Sequence, residues 1–93
     1  MTESDEARLK RMKMRAWRRG TKEMDLILGP FADARLAGLG AADLADFDAL
    51  LSENDHDLYG WITGAGIAPP RFAALIAVIG EHARGRLRGS GAA

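Results

Sequence analysis

Apolar side chains recur every three or four residues along most of the chain, and no segment alternates between apolar and polar positions over a strand length. This spacing places the apolar groups on one face of a helix, so the pattern predicts helices throughout. The helix-forming residues Ala, Leu, Arg, Lys and Glu also dominate the composition. Five helices are predicted from the apolar sets Leu9, Met12, Ala16, Trp17; Met24, Ile27, Leu28, Phe31; Leu44, Phe47, Leu50, Leu51; Leu58, Trp61, Ile62; and Phe72, Leu75, Ile76, Ile79.

Capping and helix-breaking residues divide this pattern. Ser4 is the predicted N-cap of the first helix and Thr21 or Gly20 that of the second. Gly20 also fits the left-handed position just after the first helix. Pro30 lies inside the second helix and is expected to kink it. Asp55 is the predicted N-cap of the fourth helix.

Together these elements predict an all-α protein, a compact bundle of about five short helices with the second at its centre. One domain is expected over residues 1–88, with a flexible, glycine-rich tail over 89–93. A chain of this length buries only about 60–65% of the surface that its unfolded form exposes, so a single core is expected. The aromatic residues expected to share it are Trp17, Phe31, Phe47, Trp61 and Phe72.

The composition argues against enzymes and cofactor-binding proteins. Cysteine is absent, which excludes disulfides and thiolate chemistry. The acids around His56 lack the spacing of a calcium loop, and His82 is expected to be an exposed cation near a helix end. No glycine-rich phosphate loop is present, so we predict no catalysis and no tightly bound cofactor. We predict no membrane insertion, since no apolar run reaches about 18 residues, and, without a targeting segment, a bacterial cytoplasmic location.

Charge is unevenly distributed although the formal net charge is zero. Eight of the thirteen basic residues lie between Arg8 and Lys22, whereas seven acids and one arginine lie between Asp33 and Asp57. Opposite poles of this kind favour oriented docking on another macromolecule. A regulator that binds nucleic acid through the basic first helix is the alternative, but neutral overall charge argues against it.

The segment "RRGTKEMD" contains the candidate partner-binding residues, and it lies at the predicted corner between the first two helices. A glycine at such a corner lets another chain approach closely, because it has no Cβ. Charged groups on either side can bracket that chain with charge-assisted hydrogen bonds. The candidate residues are Arg18, Arg19, Gly20, Glu23 and Asp25.

Two motif blocks resemble a known family. "WRRGTKEMDLILGPF" is similar to the signature of the SdhE-type succinate dehydrogenase assembly factors, whose Arg-Gly-x-x-Glu motif falls on Arg19, Gly20 and Glu23. "LLSENDHDLYGW" resembles a second block of that family, with Ser52 where the family usually has Glu. The matching positions of the second block are Leu50, Leu51, Asp55, Asp57, Leu58 and Trp61.

The resemblance implies a non-catalytic chaperone. Such a protein binds the flavoprotein subunit of succinate dehydrogenase, and in bacteria that of fumarate reductase, and promotes covalent attachment of FAD to a histidine of that subunit. Gly20 would then allow close approach and Glu23 would order a partner loop. Arg18 and Arg19 would dock acidic groups, or Arg19 would fix the corner internally. A monomer is expected, and an antitoxin-like interaction module is a further alternative.

Overall fold

The computed structural model describes residues 3–92, with side chains as far as Arg86. Within this range the chain forms five α-helices joined by short connections, which confirms the predicted all-α class. None of the described helices combines the length and the apolar character needed to cross a bilayer. The elements are α1 (Asp5–Trp17), α2 (Lys22–Arg35), a 3₁₀ turn (Leu36–Gly38), α3 (Ala41–Leu50), α4 (Asp55–Thr63) and α5 (Pro70–Ala92).

Side-chain caps fix where the helices begin. The Ser4 hydroxyl accepts a hydrogen bond from the Ala7 amide at 3.1 Å, and the Thr21 hydroxyl accepts one from Met24 at 3.3 Å. Both predicted caps are therefore confirmed. The prediction for α4 was wrong: Asn54 is the N-cap and accepts from the Asp57 amide at 2.8 Å. Asp55 is thereby moved into the first turn of α4, where its carboxylate is free to bond elsewhere.

The core lies around α2, which packs against both α1 and α5 and so has the central position predicted for it. Phe31 on α2 meets Phe47 on α3 with ring centroids 5.8 Å apart, and both rings are fully buried. Trp61 is half-buried and stacks on Phe72 at 6.2 Å. Trp17 was wrongly placed in the core, since 38% of it is exposed. The largest fully buried side chains are Phe31, Phe47, Met12, Met24, Leu28, Leu36, Leu50, Leu58 and Ile79.

Trp17 instead covers the contact between α1 and α2. Its indole lies over Gly29 of α2, and a Cβ at position 29 would stand 2.3 Å from the Trp17 ring. The indole Nε1 donates a hydrogen bond to Asp33 at 3.0 Å. Glycine is therefore needed at position 29 by the closeness of the ring, and the aromatic side chain serves packing without full burial.

An ion cluster joins α1 to α3. Three arginines of α1 approach the Asp48 carboxylate: Arg8 at 3.7 Å, Arg11 at 3.0 Å and Arg15 at 3.4 Å. The hydrogen bonds from Arg11, together with the positive charge of the three arginines, hold the pKa of Asp48 below its usual range, against the opposing effect of burial. Asp48, together with Glu3, which pairs with Arg11 at 3.1 Å, thus offsets part of the positive charge on one side of the first helix.

The last helix is longer than predicted, and this changes the setting of His82. α5 runs past residue 89, the predicted start of the tail, to Ala92; the flexibility of 89–93 stays a prediction, and residue 93 lies outside the described residues. His82 therefore lies in mid-helix, half-buried, with its ring edge-on to Phe31 at 5.5 Å. Burial lowers the pKa of His82, and the nearby Arg86 and Arg35 lower it further. The predicted exposed cation was therefore wrong.

Replacing Gly29 with alanine should destabilise the protein, because the new methyl group would displace the Trp17 indole and break its bond to Asp33. We expect a loss of about 1–3 kcal/mol, the usual cost of overpacking. Gly38→Ala is the control, since a Cβ there meets nothing within 4 Å. Urea unfolding of both variants measures the difference, and equal midpoints would contradict the packing argument.

Asp48 should make stability depend on pH in the acid range. Its pKa is lowered by folding, so its stabilising effect is complete above the ordinary aspartate value of 3.8 and is lost as pH falls through the folded value. Asp48→Asn should therefore be less stable than wild type at pH 6–8, and the gap should narrow below about pH 4. Unfolding titrations across this range provide the measurement. A gap that stays constant down to pH 2 would mean that the charge of Asp48 contributes nothing.

Candidate functional site at the corner between α1 and α2

The corner is formed by the four residues between Trp17 and Lys22. Arg18 ends α1 with φ −123° and ψ 56°, and its amide closes the last turn on the Arg15 carbonyl. Thr21 follows in extended conformation and caps α2. Gly20 has no positive φ, so the prediction of a left-handed glycine was wrong. The chain turns at Arg18 and Thr21 instead, so the glycine at position 20 has another explanation.

Arg19 points inward and spans from the corner to the turn between α3 and α4. Its Nη1 donates to the Leu51 carbonyl and its Nη2 to the Glu53 carbonyl, both at 2.7 Å. Its Nε donates to Asp55 Oδ1 at 2.8 Å. Only 10% of the side chain is exposed. Arg19 therefore fixes the corner internally, which was one of the two roles considered for it.

Asp55 holds the corner from the other side. While Oδ1 takes the Arg19 Nε, Oδ2 accepts a hydrogen bond from the backbone amide of Gly20. A Cβ on Gly20 would stand 3.0 Å from Oδ2, tighter than nine in ten real contacts of a Cβ atom. Position 20 is therefore glycine because the backbone must come close to the Asp55 carboxylate.

The five predicted site residues divide into two groups. Asp25 accepts a hydrogen bond from the Arg19 amide, so Arg19 and Asp25 both serve the corner itself. Arg18, Gly20 and Glu23 are exposed. Neither the Arg18 nor the Glu23 side chain forms a hydrogen bond or ion pair with another described residue. We call these three residues the corner surface.

A shallow cleft continues the corner surface onto α4. Thr21 and Glu23 line one side of it, and Asp55, His56 and Tyr59 line the other. His56 and Tyr59 are exposed, and sequence reasoning assigned neither to the site. The exposure of Tyr59 could have been predicted from the sequence, because Leu58, Trp61 and Ile62 mark the inner face of α4 and Tyr59 lies outside that face. Within residues 3–92, no acidic or histidine cluster is arranged to hold a metal ion.

Comparison with known proteins identifies the family. A family model described as "Flavinator of succinate dehydrogenase" matches residues 10–83. The chain belongs to this family. The match begins in α1 and ends in α5, so it includes the whole corner and the cleft beside it.

Individual relatives agree with this assignment. The chain is 40% identical over 90 residues to a protein named FAD assembly factor SdhE from Photobacterium profundum, covering 95% of this chain and 98% of that protein. It is 41% identical over 63 residues to the SdhE of Pseudomonas aeruginosa, covering 68% and 74%. It is also 39% identical to the mitochondrial succinate dehydrogenase assembly factor 2 of Mycosarcoma maydis, covering 77% of this chain but only 30% of that longer protein.

The structure brings together the two sequence blocks that suggested the family. Arg19 and Gly20 from the first block contact Leu51, Glu53 and Asp55 in or beside the second. Each block therefore supplies one half of a single hydrogen-bonded corner.

Removing the Asp55 carboxylate should loosen the corner at a clear cost in stability. Asp55→Ala leaves a nearly buried guanidinium and the Gly20 amide without their acceptor, and we expect a loss of about 2–4 kcal/mol. Asp57→Ala is the control, because its exposed carboxylate bonds only Asn54 among the described residues. Thermal or urea unfolding measures both. Equal losses from the two variants would show that Asp55 holds nothing that Asp57 does not.

Proposed function

We propose that this protein is an assembly factor that binds the flavoprotein subunit of succinate dehydrogenase and promotes covalent attachment of FAD to it. The proposal draws on family membership and on the names of the relatives with which the chain aligns over most of its length. The structural observation that carries it is the corner surface, where exposed polar groups are presented on backbone held by Arg19 and Asp55.

A held corner is suited to binding a partner. Four hydrogen bonds, three donated by the Arg19 side chain and one by the Gly20 amide, fix the backbone between α1 and α2 in the absence of a partner. Little conformational freedom would then be lost at this site on association, which favours affinity. Gly20 offers a place where a partner backbone can come close. Arg18 and Glu23 on either side offer opposite charges for hydrogen bonding.

In this proposal the protein positions the reaction and does not catalyse it. FAD is a substrate of the attachment step in the partner, not a cofactor of this chain. The accepting histidine and the flavin both belong to the partner, so the assembly factor contributes by stabilising an arrangement in which they meet. Glu23 is the side chain that we assign to ordering a partner loop near the flavin.

The partner range and location belong to the same proposal. The flavoprotein subunit of fumarate reductase is a second client to be tested, since the same attachment chemistry would serve it. Bacterial relatives that match over most of this chain support a cytoplasmic setting in a bacterium. We propose that the protein acts as a monomer, one copy per flavoprotein.

The decisive experiment measures covalent flavin in the partner. FAD-free flavoprotein subunit is incubated with FAD and this protein, then separated on a denaturing gel and read by flavin fluorescence. Glu23→Ala should fold normally, because the Glu23 side chain is exposed and bonds no other described residue, yet slow flavin attachment. We expect about a tenfold loss, the effect of removing one important contact worth about 1.4 kcal/mol.

Glu81→Ala on α5 is the matched control, because it removes an exposed carboxylate of the same kind from another part of the molecule. Gly20→Arg is a less specific test, since its Cβ would press on Asp55 as well as on a partner. If Glu23→Ala supports flavin attachment as well as Glu81→Ala does, the corner surface is not the binding site.

A further inference from the structure

The basic first helix sorts its cations onto two sides. Arg8, Arg11 and Arg15 turn toward Asp48 on α3 and form ion pairs with it. Lys10 and Lys13 lie on the opposite flank of α1, and neither forms an ion pair with any described carboxylate. The ion pairs on the first side stabilise the fold, whereas the cations on the other side have no such role among the described residues.

The unpaired side also exposes large apolar groups. Met14 is 45% exposed and Trp17 is 38% exposed, and both line a shallow cleft on α1 with Lys10, Lys13 and Arg18. We call these five residues the α1 flank. Exposed methionine and tryptophan beside unpaired cations are unusual on a surface that only faces water, and aromatic side chains, methionine and arginine are enriched in protein interfaces.

We infer that the α1 flank is a second contact surface for the flavoprotein partner, and that it takes an acidic segment carrying at least one exposed apolar side chain. This inference rests on the proposed function. Charge complementarity specifies the acidic character of the segment, since the cleft carries three cations against one acid, Glu6, and none of the three cations forms an ion pair with a described residue. Met14 and the exposed part of Trp17 specify its apolar side chain.

Continuity with the corner surface specifies the same partner. Arg18 belongs to both surfaces: it lines the cleft on α1 and directly precedes Arg19 and Gly20 in the corner. A chain docked over Gly20 would therefore reach the α1 flank by continuing past Arg18 along α1. The two surfaces together form one contact area around the end of α1.

A nucleic acid fits this flank less well. Phosphate binding requires a track of cations, yet three of the α1 arginines are turned to the other side of the helix and paired with Asp48. The ring of Trp17 is the aromatic group of the flank, and it lies over Gly29 with its Nε1 bonded to Asp33, which leaves it less open to a stacking base. The chain as a whole has no net positive charge.

The test compares two double variants that lower the net charge by the same amount. Lys10→Gln/Lys13→Gln removes two cations from the α1 flank, whereas Ala41→Glu/Ala42→Glu adds two acids to the exposed first turn of α3, where helix polarity favours them. Binding to FAD-free flavoprotein subunit is measured over a series of salt concentrations. The glutamine variant should bind about three- to tenfold more weakly at low salt, with a shallower salt dependence, and the α3 control should resemble wild type.

A third variant tests the apolar part of the flank. Met14→Ser should weaken binding by a similar factor at every salt concentration, because it removes contact area and not charge. Duplex DNA is titrated in parallel with wild type and with the glutamine variant. Weaker flavoprotein binding by both flank variants, without a matching DNA effect, is the expected result.

The failures of the two proposals are distinguishable. If Glu23→Ala binds poorly while the flank variants bind like wild type, the corner surface stands and the α1 flank inference is overturned. If the glutamine variant loses affinity for DNA but not for the flavoprotein, the flank is a nucleic-acid surface and the inference is again overturned. If wild type does not bind the flavoprotein at all, both proposals fail.

Discussion

The rest of the site depends on the hydrogen bonds that the Asp55 carboxylate accepts from Arg19 and Gly20. One oxygen holds the Arg19 guanidinium and the other holds the Gly20 amide, so one side chain joins the start of α4 to the corner between α1 and α2. Because Arg19 also bonds two carbonyls of the turn before α4, the corner is linked to the opposite part of the chain by a closed set of hydrogen bonds. The groups involved are almost buried, where charge-assisted bonds are strong and costly to break.

Close approach explains both glycines that matter at this end of the molecule. Gly20 meets a carboxylate and Gly29 meets an indole, and in neither case is a positive φ involved. Together the two contacts fix α1 relative to α2 and α4. A protein of this size has a small core, so such contacts at its margin contribute a larger share of its rigidity than they would in a larger domain. Rigidity at the corner is also what the proposed docking role requires.

Much of the fold could be predicted from the sequence because its determinants are local. Apolar spacing gave the helices, and Ser4 and Thr21 marked two of their starts. The wrong predictions share another feature, namely that a distant contact decides the outcome. Asp55 is predicted to be the N-cap of α4, but its carboxylate bonds Arg19 and Gly20, which lie 36 and 35 residues away. Trp17 has apolar helical spacing, but it covers a neighbouring helix instead of filling the core. The prediction for His82 assumed that the helix ends close to it, but α5 continues to Ala92.

In the candidate site, too, distant contacts decide the role of some residues and not of others. This difference changes the interpretation of the motif. A motif of the form Arg-Gly-x-x-Glu suggests that all its members meet the partner, yet Arg19 and Gly20 are bonded to Asp55 and only Glu23 extends freely into solvent from the first turn of α2. Arg19 is then a positioning residue, and its loss would act through the fold. In the proposed function, Glu23 is the position where binding can be altered while the fold is kept. The same holds for the neighbouring Arg18, because its side chain continues the exposed surface from the corner onto α1. A motif can therefore combine residues that hold a surface in place with residues that use it, and only the three-dimensional contacts separate the two.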